Sequence, residues 1–222
     1  EEIEEVYVSE GFHNPACDRK LNGLHAEQVS EEVFRKMSDT STPQGILCVM
    51  KRKQYTPDDL LQAANPLLML LEDIQDPGNL GTILRTGEGA GIDGVIMSRD
   101  TADIYNPKTI RSTMGSIYRV PFLYVSSLSD MIAELKQKKI TVYAAHLKGK
   151  QWYDQADYSG GSAFLIGNEG NGLKEETAAL ADSYIKIPMG GKVESLNAAM
   201  ASGILMYEAS RQRRFMKDGE KK

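Results

Sequence analysis

From residue 67 onward the chain alternates short apolar runs with stretches of helical spacing. The runs at 67–71, 95–97, 120–125, 140–145, 163–166 and 184–187 are short, predominantly apolar and of strand-like or nearly strand-like length. Such runs predict strands buried on both faces, as in a parallel sheet. Between them, residues 128–138 and 173–181 carry apolar side chains at helical spacing, and 198–210 form a longer apolar helix. The pattern therefore predicts an α/β domain in which a parallel sheet is flanked by helices on both faces.

The first part of the chain follows a different pattern. Apolar runs at 6–8 and 45–50 predict two strands, 31–37 predicts a helix, and Ser41-Thr42-Pro43-Gln44-Gly45 supplies turn chemistry. These elements make a small α/β unit over 1–52, expected to be the truncated remainder of a module whose opening strand and helix are absent; the chain also lacks an initiator Met. Residues 53–65, polar apart from Leu60-Leu61, are expected to be a linker with one helical turn. The main domain is expected over 66–222.

Composition narrows the function. Among 222 residues, 41% are apolar, enough for a packed core, and no run approaches the roughly 18 apolar residues of a membrane span. Glu1, Glu2, Glu4 and Glu5 are the reverse of a secretory signal. Cys17 and Cys48 are too few for a disulfide framework or a paired-cysteine zinc site, which fits a reducing cytoplasm. The net charge of −5 weighs against non-specific nucleic-acid binding. Three basic clusters, 51–53, Lys136 with Lys138-Lys139, and Arg211 with Arg213-Arg214, are nevertheless candidates for a local RNA-facing patch, or for solvated surface.

Three segments carry candidate chemistry. In Asp76-Pro77-Gly78-Asn79-Leu80-Gly81-Thr82-Ile83-Leu84-Arg85 a Gly-rich turn follows the first buried strand and leads into a helix, the place where open α/β sheets bind ligands. No GxGxxG follows the strand and no GxxxxGK[ST] occurs, which argues against dinucleotide and nucleoside-triphosphate enzymes. Structurally, Asn79 is a candidate helix cap and Arg85 a candidate partner of Glu88. In Gly167-Asn168-Glu169-Gly170-Asn171-Gly172-Leu173 three glycines surround one carboxylate at a strand end, which suits a loop that a ligand approaches closely. In Ile187-Pro188-Met189 and Ser195-Leu196-Asn197, a strand end is followed by a helix rich in small residues, with Ser195 the expected N-cap.

Taken together, N-x-G-x-x-x-R at 79–85, G-x-E-x-x-G-L at 167–173, and I-P-M at 187–189 followed by S-L-N at 195–197 resemble the three motifs of the SpoU, or TrmH-like, RNA ribose methyltransferases of the SPOUT superfamily. The resemblance covers residues 67–213. It implies that the sheet's C-terminal part is threaded into a deep trefoil knot, an exception to unknotted topology. Residues 1–52 are similar to the small RNA-binding module that precedes this domain in many members.

What the resemblance implies about chemistry is specific. S-adenosyl-L-methionine would be held by Ala144, Ala145, Gly167, Asn168, Ile187, Pro188, Met189, Ser195 and Leu196, with no metal. Arg85, Asn79, Glu169, Ser195 and Asn197 would form the catalytic set: Arg85 has the central role, either as general base or, since a guanidinium is a poor base, preferably as a clamp on the target phosphate; Glu169 holds its loop or pairs with Arg85, Asn79 and Asn197 orient ribose or loop, and Ser195 touches substrate or caps its helix. The substrate would be RNA, with the N-terminal module favouring ribosomal over transfer RNA. The protein would act in the cytoplasm as a homodimer through the C-terminal helix.

Overall fold

The computed structural model describes residues 3–21 and 23–219, and their side chains except those of 18, 19 and 215–219. Residues 220–222, included in the expected main domain, lie outside the described span. The chain divides into two compact units, Glu1–Lys53 and Gln54–Lys222.

In the first unit, β1 (Ile3–Ser9) is central, with α1 (Pro15–Leu21), β2 (Ala26–Val29), α2 (Glu31–Met37) and β3 (Ile46–Met50) following. β2 pairs with β1 in parallel and β3 pairs antiparallel on its other side. Ser30 caps α2 by accepting from the Val33 N–H, acids occupy the first turn and bases the last, and Phe34 is the buried anchor. Helix α1 and strand β2 are absent from the pattern-based expectation, because Ala26-Glu27-Gln28-Val29 lacks an apolar run; its backbone pairing with β1 makes it a strand.

The second unit opens with α3 (Pro57–Leu60), then β4 (Leu67–Leu71), α4 (Pro77–Ala90), β5 (Gly94–Ser98), α5 (Pro107–Thr113), β6 (Phe122–Val125) and α6 (Leu128–Gln137). β7 (Thr141–Ala145), β8 (Gln151–Trp152), β9 (Ser162–Ile166), α7 (Glu175–Ala178), β10 (Ser183–Lys186) and α8 (Ala198–Gly219) complete it. From Gln54 on, the stretch expected to be a linker belongs to this unit. Leu60 is fully buried against Gly94, where a Cβ would come within 2.5 Å of it, and the Tyr55 ring packs edge-on against Phe122.

The strands form one sheet in the order β6-β5-β4-β9-β7-β10-β8, parallel at every pairing. Side-chain alternation along β4 separates two cores. Leu67, Met69 and Leu71 join Leu80, Ile83 and Leu84 of α4 and Leu205, Met206 and Ala209 of α8. Leu68 and Leu70 join Leu128, Met131, Ile132 and Leu135 of α6. Covering both faces is what requires β4 to be apolar at every position. Strand β6 starts later than its apolar run: Val120 is buried in the bend before Pro121, and β6 begins at Phe122.

The basic clusters near the sheet are largely occupied by internal partners. Arg213 donates to the carbonyls of Tyr158, Asn65, Pro66 and Gly160, and so ties α8 to the sheet's amino-terminal edge. Arg211 pairs with Glu208, Lys136 with Asp182, and Lys138 with Asp58 and Glu134.

Candidate active site

Helix α4 begins where the chain leaves β4. Asp76 caps it by accepting from the Asn79 N–H at 2.8 Å, Pro77 takes the first helical position, and Lys108 pairs with the cap carboxylate at 3.0 Å. The cap is thus Asp76 and not Asn79, whose side chain is left available. It joins all three motif segments: Asn79 Nδ2 donates to Glu169 Oε1 at 2.8 Å, and Asn79 Oδ1 accepts from Asn197 Nδ2 at 2.9 Å.

Glu169 also accepts from the backbone N–H groups of Gln75 at 3.0 Å and Asp76 at 3.2 Å. Burial pushes its carboxyl pKa up, but the bonds from Asn79, Gln75 and Asp76 outweigh that and hold it below the ordinary carboxylate range. Glu169 therefore pairs with the start of α4 and not with Arg85. Likewise Arg85 does not pair with Glu88. That carboxylate accepts from Arg119 and from the Ser116 hydroxyl, bonds that hold its pKa at about 2. Arg85 is exposed on α4 and has no hydrogen bond or ion pair among the described residues.

The glycine segment 167–172 is closed by a bridge, with Asn168 N–H donating to the Gly172 carbonyl at 3.1 Å and Gly172 N–H returning to the Asn168 carbonyl at 2.9 Å. Asn168 Oδ1 collects the N–H groups of Gly170 and Asn171, and its Nδ2 donates to the Asp73 carbonyl. A Cβ on Gly167 would lie 2.3 Å from the backbone of Gly172 and Leu173, so only glycine fits.

The third segment corrects one assignment. Asn197, not Ser195, caps α8: its Oδ1 accepts from the Ala199 N–H at 2.9 Å and the Met200 N–H at 3.2 Å. One side chain thus both caps α8 and reaches α4. Ser195 is exposed in the preceding loop.

A cleft of about 450 Å³ opens at the carboxyl ends of β7, β9 and β10. Among the residues expected to hold a cofactor, Ala145, Gly167, Asn168, Ile187, Met189, Ser195 and Leu196 line it. Ala144 is instead buried in the α6 core, because alternate residues of β7 face opposite sides, and Pro188 does not line the cleft. Glu169 lines the cleft, whereas Asn79, Arg85 and Asn197 do not. His146, Lys148, Lys186 and Glu194 line it without having been anticipated; only their position next to strand ends or to the third motif signalled them.

The SpoU rRNA methylase family model matches residues 66–207, and the model for RNA 2'-O ribose methyltransferase substrate binding matches residues 1–56. The chain belongs to the SpoU rRNA methylase family. It is 36% identical over 185 residues to the 23S rRNA (guanosine(2553)-2'-O)-methyltransferase RlmP of Bacillus subtilis, covering 83% of this chain and 72% of that protein. It is 32% identical to the 23S rRNA (guanosine-2'-O-)-methyltransferase RlmB of Ralstonia nicotianae, covering 95% of this chain and 88% of that one. Among solved structures, the SpoU methyltransferase AviRb of Streptomyces viridochromogenes superposes with a TM-score of 0.86 at 26% identity, covering 96% of this chain and 83% of that one. A second structure of AviRb, in complex with the cofactor AdoMet, gives 0.84.

Proposed function

We propose that this SpoU family member transfers a methyl group from S-adenosylmethionine to a ribose 2'-hydroxyl of ribosomal RNA. The observation that carries the proposal is the Asn197–Asn79–Glu169 chain of hydrogen bonds, which joins three segments distant in sequence beside a cleft built on strand ends. Ribosomal RNA is favoured by the names of the relatives and by the match of residues 1–56 to a substrate-binding model, which we take as the RNA-binding module.

The cleft suits the cofactor. Its volume falls in the range of about 300–1,000 Å³ common for small-molecule sites. Ile187 and Leu196 offer apolar surface to an adenine ring, and the missing side chain of Gly167 lets the loop backbone at Gly172 and Leu173 close up beside it to form the cleft wall. When bound, S-adenosylmethionine supplies a methyl group already activated on a sulfonium, which leaves the protein to position the ribose hydroxyl in line and assist its deprotonation. A guanidinium is a poor base and a good fork-shaped donor, so in this proposal Arg85 clamps a substrate phosphate with two parallel N–H donors and is not the base. The proton leaves to that phosphate or to water. Asn79 and Asn197 hold α4, the glycine loop and the start of α8 in register, and Ser195 contacts substrate from the cleft wall.

The proposal includes the trefoil knot. β10 lies two strands beyond β9, yet the segment after it returns to α4, where Asn197 meets Asn79. That return across the carboxyl ends of β7 and β9 supports threading of 187–197 through the loop at 167–174. It also includes a homodimer through α8, where Met200 and Tyr207 are 61% and 54% exposed beside small residues. A ribosomal substrate is in keeping with action in the cytoplasm, which the proposal includes. The test is incubation with tritiated S-adenosylmethionine and ribosomal RNA, then mapping of label. The proposal expects one labelled site, lost in Arg85→Ala; label confined to transfer RNA would replace the substrate, and no label in any RNA would defeat it.

A further inference from the structure

Glu72 is a buried carboxylate, 3% exposed, that plays no part in the chemistry above. It follows β4, and both its oxygens are engaged. Oε2 accepts from the Lys174 N–H at 2.8 Å and Oε1 from the Thr177 hydroxyl at 2.5 Å. These donors lie where the glycine loop passes into α7. The next residue grips the loop at both ends: the Asp73 carbonyl accepts from Asn168 Nδ2 at 2.8 Å, and the Asp73 carboxylate pairs with Lys174 Nζ at 2.8 Å. Asp73 sits at φ 55, a left-handed conformation that aspartate tolerates better than most non-glycine residues. Ser98 holds it there, exchanging hydrogen bonds with the Asp73 N–H and carboxylate.

Two adjacent residues thus span the mouth of loop 167–174. Burying a carboxylate is unfavourable unless its lone pairs are satisfied, and Glu72 is satisfied by donors of the loop's exit. It does not line the cleft, so any influence on a ligand passes through the loop backbone.

We propose that Glu72 is a positioning residue for the cofactor site: by fixing loop 167–174 it sets the affinity for S-adenosylmethionine and not the rate of transfer. This rests on assigning the cleft to that cofactor. Substitution separates the role from simple bulk. Glu72→Gln keeps an acceptor for Lys174 N–H, and its amide donates to the Thr177 oxygen, so the loop keeps its shape. Glu72→Leu leaves the buried Thr177 hydroxyl and the part-buried Lys174 N–H without their partner, and the loop must move to bring them to water.

The experiment titrates S-adenosylmethionine calorimetrically into the full chain and its variants, and measures kcat and cofactor KM on ribosomal RNA. Glu72→Leu is expected to weaken cofactor binding and raise cofactor KM about tenfold or more, with kcat at saturating cofactor within about threefold of wild type. Glu72→Gln is expected to stay within about threefold of wild type in both parameters. If circular dichroism shows Glu72→Leu unfolded, Thr177→Val, which removes one partner, replaces it with an expected three- to tenfold rise in KM, on the order of one lost hydrogen bond. Unchanged cofactor binding, or a fall in kcat with KM unchanged, overturns the proposal while the cleft assignment stands. Failure of the wild-type chain to bind S-adenosylmethionine overturns that assignment and the proposal with it.

Discussion

Replacing Gly167 with alanine tests whether the glycine loop needs its observed shape. An added Cβ would stand 2.3 Å from the Gly172 carbonyl carbon and the Leu173 nitrogen and 2.4 Å from the Gly172 oxygen. That is about 1 Å inside ordinary contact, and every clashing atom is backbone, so no side chain can swing away. The strands of the Asn168–Gly172 bridge must part, and overpacking of this kind costs about 1–3 kcal/mol. If the cofactor requires the native loop, that cost appears as a loss of affinity of roughly 5- to 150-fold. Gly170 in the same loop is the control, because a Cβ there meets only Asn168 Oδ1, at 3.5 Å. Calorimetric titration of S-adenosylmethionine into both variants, alongside thermal melts, makes the comparison. Equal affinities for Gly167→Ala and Gly170→Ala, with both folded, would refute the argument that this backbone walls the cofactor site.

Other consequences follow from the same contacts. Asn79→Ala breaks the links to Glu169 and Asn197 at once; after allowance for partial exposure it should lower stability by about 1–2 kcal/mol and kcat/KM at least tenfold, seen by denaturant titration and methylation assay. Since the Glu169 carboxyl titrates below its unfolded value, the stability it contributes is present above the ordinary carboxylate range and lost as pH falls through the lowered pKa. Glu169→Gln should therefore flatten the decline of unfolding free energy below about pH 4.5, and an unchanged decline would remove Glu169 from that account. Leu60→Ala, at a fully buried site in the stretch expected to be a linker, should destabilise the second unit by about 2–5 kcal/mol in urea unfolding; a free linker would show no change.

The six apolar runs became the strands because burial on both sheet faces leaves a one-dimensional signature. Strand order leaves none: that β9 lies between β4 and β7 depends on contacts between segments far apart in the chain. β8, two residues with the partly exposed Trp152, is too short for any periodicity to mark. At the site, residue types pointed to Asn79, Glu169 and Asn197, but their partnerships were not legible. Ser195 and Asn197 are both good caps by type, and only the point where α8 starts decides between them. Glu88 lies one helical turn from Arg85, yet Arg119, brought in by the turn after α5, takes it. That diversion leaves Arg85 without a partner among the described residues, a condition a phosphate clamp requires.

The most direct test of the central claim is nucleoside analysis of ribosomal RNA methylated by the protein with labelled S-adenosylmethionine, using Arg85→Ala as the comparison. The label should emerge in one 2'-O-methylated nucleoside and fall at least a hundredfold in the variant, and the variant should melt like wild type, since Arg85 is exposed and makes no hydrogen bond or ion pair among the described residues. Label on a base, or full activity without Arg85, would contradict it.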